Sequence, residues 1–166
     1  TRPRERWLGS WPRQAPRTYR GANLEYMLMP IGGIGTGTIW LDGQGRLAVW
    51  QVFNNYDERP VRDTFFAIRA EAEGSEPVVR CLQTVGRPAF APMQSLEYEG
   101  GYPIARLRFS DPALPVRVTL EAYNPMIPTD AANSALPCAI FSKVSHDSFF
   151  SSRSVISSSP ILISWP

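Results

Sequence analysis

Histidine is almost absent from the chain: His146, beside Asp147 and Ser148, supplies the whole imidazole inventory. Triad members converge through the fold and seldom sit side by side in sequence, so Ser-His-Asp chemistry has little to draw on. One histidine and two cysteines far apart, Cys81 and Cys138, do not make a zinc set. The cysteines read instead as buried free thiols, and neither a metal nor a cofactor is expected. No apolar run reaches the roughly 18 residues that span a bilayer, so no transmembrane segment is expected. A signal-type stretch is also missing, and the chain opens at Thr1 without a methionine, which reads as a processed or cut start and favours the cytoplasm. The net charge of +2, supplied nearly all by arginine, is too slight to point to nucleic acid.

What is present is proline and glycine. Sixteen prolines and 12 glycines are spread over 166 residues, enough to interrupt any long helix, and the length suits one domain with a real core. Strands and turns should dominate. Residues 1–16 form an extended lead-in, where Arg2, Arg4, Arg6 and Arg13 alternate with Trp7, Trp11 and proline; like charges with proline stay unpacked.

The most informative stretch is Met29-Pro-Ile-Gly-Gly-Ile-Gly-Thr-Gly-Thr38, which runs into an apolar hairpin. Gly32, Gly33, Gly35 and Gly37 permit positive φ and let another backbone approach where a Cβ would block it. The spacing is wrong for a dinucleotide fingerprint: Gly33 and Gly35 are followed by Thr38, and a strand comes next where a helix is required. No lysine follows as a phosphate loop demands. A turn pressed against neighbouring protein is the simpler reading.

Asp42-Gly-Gln-Gly45 is a tight-turn sequence between strands Thr38–Leu41 and Arg46–Phe53. Leu47, Val49 and Phe53 share one face of the second strand, and Ala48, Trp50 and Val52 the other, which predicts a central strand covered on both sides. Further strands are expected at Thr64–Glu71, Pro77–Leu82, Glu97–Glu99, Pro103–Ser110 and Val116–Tyr123, with Gly100-Gly101 turning the third into the fourth. The rows Ala105, Leu107, Phe109 and Val116, Val118, Leu120, Ala122 should face inward. The fold class is therefore all-β, an antiparallel two-sheet β-sandwich.

Glycoside cleavage commonly takes two carboxyl groups across the scissile bond. Asp57, Glu58, Asp63, Glu97, Glu99 and Asp130 do not mark a pair and read as solvated charges, turn formers or arginine partners. Tyr56 and Tyr102 could stack on sugar rings, while Trp40 and Trp50 suit the core.

Several ordered motifs now add up. Arg17-Thr-Tyr-Arg-Gly-Ala-Asn-Leu-Glu-Tyr-Met-Leu-Met-Pro-Ile-Gly-Gly-Ile-Gly-Thr-Gly-Thr-Ile39 resembles the opening of glycoside hydrolase family 116. Gly43-Gln-Gly-Arg-Leu-Ala-Val-Trp-Gln-Val-Phe-Asn-Asn55 is similar to its Gly-x-Gly-x-Leu-x-x-Trp-x-x-Phe-Asn segment, and Thr64-Phe-Phe-Ala-Ile-Arg69 to its next strand. Ala122 to Phe141 resembles its Phe-x-Pro-x-x-Pro, Asn-Ser-x-Leu-Pro and Phe elements, with Tyr123-Asn124 in place of the usual Phe-Ser.

The resemblance covers residues 17–141 and implies the family's N-terminal β-sandwich domain, incomplete at its C-terminal end because the family continues with further strands beyond the position of Phe141. Residues 142–166 are dense in serine without a helix or strand period, and read as a disordered or aberrant tail left by truncation or a shifted frame. Members of the family resemble retaining β-glucosidases and glucosylceramidases, whose nucleophile and acid/base belong to an (α/α)6-barrel. No position here inherits either role, so the implied partners are that barrel and, for the intact enzyme, a β-glucoside. Gly32, Gly33, Gly35 and Gly37 are then the candidate domain-interface loop. A free-standing carbohydrate-binding sandwich is the alternative, and exposed barrel-facing surface with unpaired edges would favour self-association.

Overall fold

The computed structural model describes residues 15–55, 61, 63–71, 74–147 and 161–164. Most of the arginine-rich lead-in, the connection carrying Tyr56, Asp57 and Glu58, and the serine tract 148–160 lie outside the described residues. Among the described residues, regular structure begins with β1 (Arg17–Tyr19), a 3-10 helix (Gly21–Tyr26), β2 (Leu28–Ile31), β3 (Thr38–Asp42) and β4 (Leu47–Gln51). It continues with β5 (Ala67–Ala70), β6 (Val78–Cys81), β7 (Ser95–Gly101), β8 (Ile104–Ser110) and β9 (Val116–Tyr123), then a single helical turn α1 (Ala131–Ser134), β10 (Cys138–Asp147) and β11 (Ile161–Ser164). All named strand pairs are antiparallel, as the turn-rich sequence predicts.

The largest sheet has the order β1-β7-β8-β9-β10-β11, and two smaller ones are β2-β3-β4 and β5-β6. In β8 and β9 the period-2 pattern works as read: Ala105, Leu107 and Phe109, and Val116, Val118, Leu120 and Ala122, are all buried. They meet Ile31, Ile39, Leu41 and Leu47 of the second sheet and Ile68 and Ala70 of the third in one continuous core. Phe66, just before β5, packs at a tilt against Phe141 of β10 with ring centroids 5.0 Å apart, linking the approach to the smallest sheet with the largest. Sheet-on-sheet packing of this kind is the all-β sandwich expected from the sequence.

Three local expectations are corrected. β4 lies at the edge of its sheet, not in the centre, and β3 holds the middle place. Apolar residues on both faces report cover above and below a strand and carry no information about its lateral neighbours. Phe53 falls outside the strand, at φ 56° and 65% exposed, so it does not continue the Leu47 face. The turn between β7 and β8 is Tyr102-Pro103, joined by a cis peptide, while Gly100 and Gly101 pair within the ladder against Ala105 and Ile104.

The C-terminal end also differs from the pattern reading, which lost periodicity after Phe141. β10 runs on to Asp147, pairing with β9 as far as Asp147↔Val116, and β11 adds to it through Ile161↔Phe141. A strand in an existing ladder draws its order from backbone pairing with its neighbours, so a serine-rich sequence can extend it without an alternating signature.

Candidate interdomain loop

The β2–β3 connection is built by the glycines singled out in the sequence, and the four of them have different work. A Cβ on Gly33 would collide with the Leu136 carbonyl and crowd the Thr36 hydroxyl, so this position is glycine because another segment of the same domain lies on it. Gly32 is likewise closed in, by the Gly37 carbonyl across the loop. Gly35 and Gly37 adopt φ of 73° and 99°, the left-handed region that other residues enter at a cost. Around Gly35 there is open space, and Ile34 beside it is 52% exposed. The base of the loop is packed and its tip is free.

Two segments hold that base. Asn124, just past β9 and 6% exposed, accepts the Gly32 N–H on Oδ1 and donates from Nδ2 to the Pro30 carbonyl at 3.3 Å. The Ile34 N–H donates to the Ser134 carbonyl at 2.9 Å. Ser134 is itself fixed, since its hydroxyl accepts the Ile127 N–H at 2.9 Å and donates to the Ile127 carbonyl at 3.0 Å. Asp130 caps α1 by accepting the Asn133 N–H at 3.0 Å. Hydrogen bonds from Asn133 hold the Asp130 carboxyl below its ordinary value. This acid is therefore a helix cap. The surrounding surface is apolar: Ile34, Met126, Ile127 and Leu136 are all exposed.

The other candidate acids among the described residues are held by arginines or in turns. Glu99 and Glu121, on the face of the large sheet away from the core, share Arg106, with Nε to Glu121 at 2.6 Å and a second nitrogen to Glu99 at 3.0 Å. Arg108 also pairs with Glu99. The Arg108 hydrogen bond, helped by Arg106, holds the Glu99 carboxyl below the usual range against the opposing effect of burial. A general acid for glycoside cleavage needs the reverse shift, so this pair is an ion-pair ladder. Glu97 bonds Arg20 at 2.7 Å. Asp63 sits in a turn at φ 61°.

The sequence reading of the cysteines holds: Cys81 and Cys138 are free and buried, and burial pushes both thiols up. Among the described residues no group of three or more His, Cys, Asp and Glu side chains could hold a metal ion, and no helix is long and apolar enough to cross a membrane. Of the sugar-stacking candidates, Tyr102 is exposed, while Trp40 and Trp50 are half-buried, with the Trp40 indole N–H donating to Gln51 at 3.0 Å. Asn124 and Ser134 escaped the pattern reading. Their buried backbone partners, close to a hundred residues away in sequence, leave no periodic trace.

No curated protein matches the chain at a significant level. Comparison with family models does give a match, over residues 29–148, to the description beta-glucosidase 2, glycosyl-hydrolase family 116 N-term. That span takes in the glycine loop, the sandwich core and both segments that anchor the loop. The chain belongs to glycosyl-hydrolase family 116, as its N-terminal domain.

Proposed function

We propose that this chain is the supporting β-sandwich of a retaining β-glucosidase or glucosylceramidase-type enzyme, and that bond cleavage is performed by a separate (α/α)6-barrel catalytic domain. The observation that carries this reading is the family match to an N-terminal domain across most of the sandwich. The chemistry of the acids supports it: Glu99 and Glu121, which share Arg106, are neutralised by Arg106 and Arg108 and face away from the core. The loop of Gly32, Gly33, Gly35 and Gly37 is the part of the sandwich that meets the barrel. Gly32 and Gly33 set the loop on its own domain, and the open tip at Ile34 and Gly35 is what remains to touch a partner. The β-glucoside is a substrate of the intact enzyme and not of this chain.

The purified chain should release no nitrophenol from an aryl β-glucoside. It should also show no heat of binding when titrated with gluco-oligosaccharides. Nitrophenol release would make the chain itself a hydrolase. Saturable sugar binding that is lost in Tyr102→Ala would favour a carbohydrate-binding module instead, since Tyr102 is 60% exposed on the β7–β8 turn.

A further inference from the structure

We infer that Asn124 is the positioning residue of the Gly32–Gly37 loop, the side chain that fixes the orientation in which the loop is presented. That presentation serves a catalytic domain only if the reading proposed above holds. A primary amide offers an acceptor oxygen and a two-proton donor, and burying both requires partners for both. Asn124 has them on opposite sides of one bend: the Gly32 N–H enters Oδ1, and Nδ2 donates to the Pro30 carbonyl at 3.3 Å. Its backbone is equally committed. The Asn124 N–H donates to the Pro103 carbonyl at 3.1 Å, and its carbonyl accepts the Met126 N–H at 2.7 Å.

One residue thus joins three connections at the same end of the sandwich: β2–β3, β7–β8 and β9–β10. The loop needs such a clamp, because glycines at Gly32, Gly33, Gly35 and Gly37 leave its backbone with a wide choice of conformations to give up. Packing at the tip does not select one orientation, since a Cβ on Gly35 would meet nothing within 4 Å and Ile34 is half exposed. The amide does select one, because it must accept on one arm while donating on the other. An ionised carboxylate of the same shape can only accept, and it would face the Pro30 carbonyl with like polarity.

Backbone hydrogen exchange in the full 166-residue chain tests the assignment. In Asn124→Ala the Gly32 amide should exchange at least about tenfold faster, the scale expected for losing a buried hydrogen bond, while Leu107 and Leu120 in the core sheet stay near their wild-type rates. Should that variant fail to fold, Asn124→Asp carries the test. Its loop amides should lose protection at pH 7 and regain it, relative to wild type, at about pH 4, where a protonated carboxyl can again donate to Pro30. Unchanged exchange at Gly32, or an equal loss of protection everywhere, would overturn the assignment. The same two variants placed in an enzyme carrying the catalytic domain separate this inference from the reading beneath it. If the loop loosens in the isolated chain while thermal inactivation of the enzyme is unmoved, the loop is not the contact and Asn124 still sets its geometry. If exchange does not respond, the Asn124 assignment fails whatever the enzyme does.

Discussion

Gly33 and Gly35 look interchangeable in sequence, yet they are glycine for unrelated reasons, and substitution separates them. Gly33→Ala places a methyl group against the Leu136 carbonyl and should cost about 3 kcal/mol, at the upper end of overpacking. Gly35→Ala meets open space and only the left-handed backbone penalty, about 1 kcal/mol. Urea unfolding of the two variants should rank them in that order. Tyr98 offers the opposite sign. Its side chain is fully buried, burial pushes its phenol far above the ordinary value with help from Asp42, and its hydroxyl has no hydrogen-bond partner among the described residues. Tyr98→Phe should therefore raise stability by about 1 kcal/mol, measured by the same unfolding midpoint.

Between neighbouring strands, the outer face of the large sheet carries a ladder in which Arg106 and Arg108 meet Glu99 and Glu121. Glu99, reached by both arginines, has its folded pKa depressed. Its contribution is complete above the unfolded glutamate value of about 4.3 and is lost as pH falls through that value towards the folded one. Asp111 behaves alike: burial pushes its carboxyl up, but Arg80 at 2.8 Å and the Ala113 N–H outweigh it and leave the net shift downward. Thermal unfolding should hold steady from pH 7 to about 5 and drop below about 4.5, and Glu99→Gln should make that drop shallower while costing about 1–2 kcal/mol at pH 7. The elements that were legible are those whose own residues decide them. The rows Ala105-Leu107-Phe109 and Val116-Val118-Leu120-Ala122 alternate because one face is buried, and Asp42-Gly-Gln-Gly45 turns because Asp42 accepts from the Gln44 and Arg46 N–H groups. The elements misread depend on partners. β4 is an edge because of where β3 lies, the Tyr102-Pro103 turn displaces the more conspicuous Gly100-Gly101, and β10 outlasts its apolar pattern because β9 runs beside it. The candidate loop shows the same division: its glycines could be read directly, whereas the amide of Asn124 and the carbonyl of Ser134 that hold it are brought by the fold.

At the scale of the whole molecule, a sandwich has two faces to bury and two ends to finish, and here one end is finished in apolar side chains. Ile34, Met126, Ile127 and Leu136 stand exposed around the loop, and β4 presents an open strand edge among the described residues. The isolated chain should accordingly self-associate with rising concentration in sedimentation velocity, and Ile34→Glu combined with Leu136→Glu should reduce that association. A chain that stays monomeric at all concentrations would remove this reason for a partner at that surface. The central claim is that these sheets support a hydrolase without performing the hydrolysis, and complementation tests it most directly. Aryl β-glucoside turnover would be followed with this chain alone, with the catalytic domain of the same enzyme alone, and with the two mixed. The account predicts no turnover from the chain and a faster or longer-lived reaction from the mixture than from the catalytic domain by itself. Turnover by the chain alone, or a catalytic domain indifferent to its presence, would contradict it.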